Sequence, residues 1–427
     1  MILVGIGIAL VVICFIVGSP IFIAFGAGSS IILLWHLGIP GSAIPRLMFE
    51  SVNSYSLAAI PAFILAGNLM TYGGTSRELV RWVNTLVGHI PGGLGITVVL
   101  SCAVFAACSG SALAAAGAIG MIMIPMMTEQ GYDEAFSNGL VAGAATLGPI
   151  IPPSVIMILY GALTETSIPA LFYAGVFPGI LYALILIGYA LVISRRHKYG
   201  IVPKSSWGER GKATIRAIPA LLFPVIILFG IYGGICTATE IAAIATIYSV
   251  LVGFLAYRQL NMKLLYHSLK ETVLATGRIM LIVAAAMLFG RVLILLGVGE
   301  AIKGAVFGMG LSVTAFLALL VLIILIFGMF MELLAMLYIL IPLIWPICGA
   351  FGIDPVFLGL LVCMGACVGY ITPPFGSVVF TVSSFTGMRA DSIFRHTIIP
   401  AILEAVTVYI VLFVPSIATW LPGKIFG

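Results

Sequence analysis

The chain has 427 residues, of which 62% are hydrophobic and 8% charged, with a formal net charge of +5. A soluble domain carries roughly 25% charged residues, so a fully hydrated exterior is excluded and no nucleic-acid partner is expected. In lipid, only helices and closed barrels satisfy their own backbone hydrogen bonds. Barrel strands alternate polar and apolar positions, whereas residues 180–193 and 316–327 are apolar on every face, which predicts an all-α polytopic membrane protein.

From the N-terminus, apolar segments interrupted by Gly, Pro and charge predict spans near 2–18, 21–37 and 57–72. Residues 2–17 lack a basic leader and a small-residue cleavage site, so they are read as a retained span. An amphipathic stretch follows at 75–90, then a small-residue region at 92–127 and spans near 134–165 and 168–194. Residues 195–216 form a polar linker with seven Lys or Arg against one Glu. Beyond it lie spans near 217–234 and 237–256, a second amphipathic stretch at 258–272 and a span at 273–297. A second small-residue region at 309–346 precedes spans near 355–386 and 392–421. Both amphipathic stretches are expected to be interfacial helices. The seven cysteines all lie in apolar segments and read as small core residues, with no disulfide framework or transition-metal site.

The two halves repeat. Pro125 in Met-Ile-Pro-Met-Met has its counterpart 217 positions on in Pro342 of Leu-Ile-Pro-Leu-Ile, and Asp133 of Gly-Tyr-Asp matches Asp354 of Gly-Ile-Asp, 221 on. Gly148-Pro-Ile-Ile-Pro-Pro-Ser154 matches Gly369-Tyr-Ile-Thr-Pro-Pro-Phe375, and Pro178-Gly-Ile-Leu recurs as Pro400-Ala-Ile-Leu. The positive-inside rule puts the basic linker in the cytoplasm. With five crossings per half, and with 92–127 and 309–346 each entering and leaving on one side, fifteen of the nineteen Lys and Arg fall inside. An odd number of crossings inverts the second half. The expected fold is therefore two inverted repeats, each of five crossings with one re-entrant helical hairpin and one broken helix, and with both termini outside.

Proline lacks an N–H and clashes with the carbonyl four residues back. Pro152 and Pro153 thus free the carbonyls of Gly148 and Pro149, and Pro373 and Pro374 those of Gly369 and Tyr370. Such backbone is tolerated at membrane depth only where it lines a cavity, and interruptions at matching positions of two inverted halves point to a transporter's binding site. Freed carbonyls are hard oxygen ligands suited to a small cation. Residues 106–117 are small enough to form a hairpin tip, with Ser109, Gly110 and Ser111 at the turn; residues 327–332, containing Gly328 and Glu332, are its counterpart. Oxygens of the first tip and of residues 148–153 would make one cation site, and Gly328 with Gly369 and Thr372 a second.

These motifs resemble the large membrane subunit of tripartite ATP-independent periplasmic (TRAP) transporters of the dicarboxylate and sialic-acid type. The likeness covers essentially the whole chain and is carried by Cys108-Ser-Gly-Ser-Ala112 with Gly148–Ser154, and by Gly328 with Gly369–Phe375. It implies an elevator mechanism, coupling to two or more Na+ ions and a place in the bacterial inner membrane. It also implies a small four-helix membrane partner and a periplasmic binding protein that selects and delivers an organic anion. By the same likeness Ser109, Ser111, Gly148, Ile151 and Pro153 hold one sodium, with Gly110 at the turn, and Gly328, Gly369, Thr372 and Pro374 hold another. Residues 1–90 and 217–308 would then be scaffold, 91–194 and 309–427 would carry the moving hairpins and broken helices, and 195–216 would join them.

The energy source is argued separately. Residues 208–214, Gly-Glu-Arg-Gly-Lys-Ala-Thr, lack the phosphate-loop spacing, so transport should run on a gradient. Sodium needs only neutral oxygens, whereas a proton relay needs intramembrane acids or histidines. Glu240, Glu332 and Glu404 are few and unmirrored between the halves, which favours sodium over a proton-coupled symporter working through Glu332. Neither tip holds a Lys or Arg, so attraction for an anion is assigned to half-helix N-termini and to bound cations. Ser154, Glu332 and Arg291 are the candidate substrate contacts; for Arg291 an ion pair with Glu240 or Glu300 is the favoured role. A serine enzyme would need a base beside Ser109 or Ser111, but the histidines sit in predicted loops or at helix ends and no G-x-S-x-G elbow exists. A channel would call for pore-lining polar or charged rings.

Overall fold

Long apolar runs fold as helices in lipid, and glycine, proline and capping side chains decide where each one stops. The computed structural model describes residues 2–426, all of whose regular structure is helical. The first half contains α1 (Ile2–Ile16), α2 (Ile21–Ile31, prolonged by a π turn over Ile32–His36), α3 (Ala43–Val52), α4 (Ala59–Tyr72) and α5 (Thr75–Val87). A hairpin follows, α6 (Gly93–Ser109) and α7 (Ala112–Glu129), then α8 (Glu134–Ala145), α9 (Leu147–Ile150), α10 (Val155–Thr164) and α11 (Ile168–His197). The second half opens with α12 (Trp207–Tyr232), α13 (Ala238–Leu251, prolonged by a π turn over Val252–Ala256), α14 (Met262–Leu295) and α15 (Val298–Gly308). Its hairpin is α16 (Val313–Gly328) and α17 (Leu333–Ala350), and α18 (Pro355–Gly369), α19 (Ser377–Thr386), α20 (Ala390–Phe413) and α21 (Ser416–Phe426) complete the chain. Among the described residues eight helical stretches are long and apolar enough to cross a bilayer, or nine when the bent pair α3–α4 counts as one.

Three boundaries differ from the expected ones, each for a local reason. The second amphipathic stretch is no separate interfacial helix: residues 262–272 are the first turns of α14, a 34-residue helix with no proline to stop it. At about 1.5 Å per residue it is ~51 Å long, well beyond a ~30 Å hydrocarbon core. The linker narrows to residues 198–206, because α11 continues to His197 and Ser206 starts α12 with a reciprocal cap to Glu209. The Ser206 N–H and hydroxyl both donate to the Glu209 carboxylate, at 2.7 and 3.0 Å. The last span ends at Phe413, since Pro415 cannot continue a helix, and α21 is separate.

Packing crosses between the halves. In the peripheral layer α2 lies on α14 and α4 on α13, while centrally α8 lies on α20 and α11 on α18. The arms that lead into the two interruptions are the most enclosed: every residue from Phe136 to Ala145 in α8, and from Phe357 to Gly369 in α18, is buried. Small residues allow this approach. A Cβ at Gly143 would lie 2.6 Å from Pro400 Cβ, and one at Gly139 2.7 Å from His396 Cβ. Gly143→Ala is therefore expected to cost about 1–3 kcal/mol through overpacking, read as a lowered thermal midpoint. Gly188→Ala, where a Cβ meets nothing within 4 Å, is the control expected to leave that midpoint unchanged.

Candidate functional site

The first hairpin turns at Gly110, whose φ of +61° is the left-handed conformation that glycine adopts without strain. Ser111 starts the return arm by accepting the Ala114 N–H at 3.4 Å. The turn is pressed onto the interruption between α9 and α10. A Cβ on Gly110 would overlap the carbonyl oxygen of Pro153, and one on Gly148 would lie 2.6 Å from the Ser111 carbonyl carbon. From behind, α11 closes on the same segment, with Gly179 facing the Ile151 side chain. Ser154 caps α10 through the Met157 N–H at 3.4 Å. Ser109, Gly110, Ser111, Gly148, Ile151, Pro153 and Ser154 thus share one locus, where Ser109, Gly110, Gly148, Pro153 and Ser154 are buried.

Within that locus the Ser109 hydroxyl oxygen is buried and has no hydrogen-bond partner. A buried hydroxyl left unpaired costs about 1–3 kcal/mol, and a cation beside it would remove that cost. The donor chemistry fits sodium: neutral hydroxyl and carbonyl oxygens from two separate segments, with no carboxylate among them.

The second hairpin repeats the arrangement with differences. Its tip is Met329–Glu332, since α16 runs on to Gly328 and α17 begins at Leu333. A Cβ on Gly369 would overlap the Gly328 carbonyl oxygen, and the Phe375 N–H donates to the Met329 carbonyl at 3.2 Å. Gly328, Gly369, Thr372 and Pro374 therefore gather at one place. The Thr372 hydroxyl donates to the Val368 carbonyl at 3.1 Å, and Thr397 of α20 ties down the Ile371 carbonyl at 2.7 Å. Residues 373–375 are exposed, whereas Pro152, Pro153 and Ser154 are buried.

Glu332 sits where Ser111 sits in the first half, 221 positions earlier: each is the N-cap of its return arm. The Glu332 carboxylate accepts the Leu334 N–H at 3.2 Å, as the cap of that arm. Arg291 is not brought to either tip. It is exposed on α14 with no ion pair to Glu240 or Glu300, and its neighbour Gly290 backs onto Pro342, about 15 Å along α17 from the second tip. Glu300 pairs instead with Lys303 at 3.2 Å, and Glu240 caps α13.

Residue patterns missed two participants. A Cβ on Gly67 in α4 would lie 3.2 Å from Ser109 Cα, so this glycine lets the peripheral layer touch the first tip. The run Leu-Ala-Gly-Asn at 65–68 is the signal that could have marked it. The Met329 carbonyl, a backbone group, has no residue-type signal. Four helix N-termini, those of α7, α10, α17 and α19, open at these two loci and supply positive potential.

Hairpin tips closed on interrupted helices, inside a helical chain with many spans, define a polytopic membrane transport protein. Residues 8–420 match the family described as "Tripartite ATP-independent periplasmic transporter, DctM component", and the chain belongs to that family as a large permease subunit. It is 41% identical over 376 residues, 88% of each chain, to the C4-dicarboxylate TRAP transporter large permease protein DctM of Pseudomonas aeruginosa. It is 34% identical over 395 residues, 92% of this chain and 90% of the other, to the sialic acid TRAP transporter large permease protein SiaM of Vibrio cholerae. Its fold is also that of the Alcanivorax borkumensis YdaH transporter, with a TM-score of 0.66 at 13% identity over 90% of each chain.

Gly369→Ala is expected to break the second contact, because the new Cβ meets backbone rather than a flexible side chain. Transport by the reconstituted complex should fall by about tenfold or more, equivalent to at least ~1.4 kcal/mol, while Gly349→Ala, in open space, retains wild-type rates.

Proposed function

We propose that this chain is the sodium-driven permease subunit of an importer for an organic anion. The observation that carries the reading is the pairing of Gly110 with Pro153 and of Gly328 with Gly369: two tips closing on two interruptions, leaving neutral oxygens and one unpartnered buried hydroxyl at the first. Sodium suits such ligands, and bound sodium together with the helix N-termini supplies the positive charge that a carboxylate substrate needs. The relatives named for C4-dicarboxylates and for sialic acid both handle carboxylates, which supports the same substrate class here.

The two halves are read as inverted repeats. What supports this is the exchange of partners between them, α2 on α14 against α4 on α13, and the paired π turns at 32–36 and 252–256. The hairpins and broken helices are read as an elevator unit sliding on the peripheral helices, with Gly67 allowing close passage of the first tip. A small membrane subunit and a periplasmic binding protein complete the transporter in the bacterial inner membrane.

Uptake into proteoliposomes containing the small subunit and the binding protein tests the coupling. Ser109→Ala with Ser111→Ala is expected to raise the sodium concentration for half-maximal uptake by about tenfold, or ~1.4 kcal/mol, in a protein that still assembles. Uptake unchanged at limiting sodium would sink the first site. For sidedness, a cysteine replacing Ser206 should be labelled by an impermeant maleimide only after the cytoplasmic face is opened. Labelling from the periplasmic face of intact cells would reverse the topology.

A further inference from the structure

Where the two halves cross lies a polar cluster beside the first locus, with Thr146 two residues before Gly148. Glu404 on α20 is fully buried, as are Tyr182 on α11 and Thr146 at the end of α8. Glu404 was unmirrored as an acid, but it has a positional mate. Glu404 follows Pro400-Ala-Ile-Leu as Tyr182 follows Pro178-Gly-Ile-Leu, so equivalent residues of the two halves come to one place.

The short oxygen contacts here can be counted. Thr146 Oγ1 lies 3.0 Å from Glu404 Oε2, 2.8 Å from the Gly143 carbonyl oxygen and 3.4 Å from the Tyr182 hydroxyl, which itself lies 3.1 Å from that same carbonyl. Three of these contacts are no longer than 3.1 Å, and for each to be a separate two-centre bond three hydrogens are required. Thr146 and Tyr182 have one hydroxyl hydrogen each. A proton on the Glu404 carboxyl supplies the third, with no hydrogen shared between two acceptors.

Charge leads the same way. Among the helices packed on α20, α16, α18 and α19 carry no charged residue; α18 offers the thiols of Cys363 and Cys367. On α8 the acid is Glu134 in its first turn, on α11 the basic residues are in its last turn, and on α21 Lys424 lies over the Trp420 ring. On α20 itself Arg395 is nine residues away, ~13 Å along the helix, and His396, eight away, faces Asp133 at 3.9 Å. An ionised carboxylate would have no cationic partner, a cost of several kcal/mol for a buried ion.

We propose that Glu404 is a proton-binding site, carried as a neutral carboxyl that donates to Thr146 and so fastens α20 of one half to α8 of the other. Thr146 in turn donates to the Gly143 carbonyl, which also accepts from Tyr182. The proton is structural: it stays bound while sodium and substrate exchange.

Infrared spectroscopy of the purified permease complex in nanodiscs at neutral pH tests this. The wild type is expected to show the carbonyl stretch of a neutral carboxylic acid, and Glu404→Gln to remove it while keeping the thermal midpoint and the sodium dependence of uptake. Glu404→Ala should lower the midpoint. Thr146→Val, which deletes the acceptor, should shift the band, and this variant serves on its own if Glu404→Gln does not accumulate. Absence of the band in the wild type, its persistence in Glu404→Gln or its indifference to Thr146→Val would overturn the proposal. So would a band that appears only when sodium is replaced by choline, which would make the site a sodium site.

Discussion

A peptide carbonyl or N–H left bare in a lipid-like interior costs several kcal/mol, and this constraint shapes the centre of the molecule. Each interrupted helix gives up hydrogen bonds at a Pro-Pro pair, and each is covered by a hairpin tip that only glycine can bring close enough. Gly110 faces Pro153, and Gly369 faces Gly328. The enclosing helices follow from that requirement: α11 seals the first interruption from behind, and Thr397 of α20 ties the second. The small-residue composition of the first hairpin's arms, unsuited to facing lipid, is explained by what those arms must touch.

The two loci have diverged in their degree of enclosure. The first is the more enclosed, with Pro152, Pro153 and Ser154 buried, Ser111 capping its return arm and Ser109 left with an unpartnered hydroxyl; the second has residues 373–375 exposed and uses Glu332 as the cap. The central cluster of Gly143, Thr146, Tyr182 and Glu404 ties the end of α8 to α11 and α20, beside the first locus.

Much of this was legible in residue order because the signals are chemical. Pro-Pro pairs with glycine four positions before the first proline, asparagine-like caps such as Asp133 and Asp354, and serines in an alanine-rich run all have strong local meaning. The cation-site candidates were therefore brought together as grouped. Long-range placement was not legible. Arg291 lies in an apolar span and so looked central, yet helical phase puts it on the exposed side of α14. Residues 258–272 have the composition of an interfacial helix, but without a breaker they run into the following span. An alignment offset of 217 taken from Pro125 and Pro342 set the second tip slightly early; the caps Ser111 and Glu332, 221 apart, are the better register. Gly67 and the Met329 carbonyl required the fold, since neither carries a distinctive side chain.

Equilibrium binding of radioactive sodium to the purified permease complex, with no substrate and no transport step, tests the central claim most directly. The account gives saturable binding in the wild type, weakened when the Ser109 and Ser111 hydroxyls are removed and weakened separately by Gly369→Ala. Absence of saturable binding, or binding that none of these substitutions changes, would contradict it.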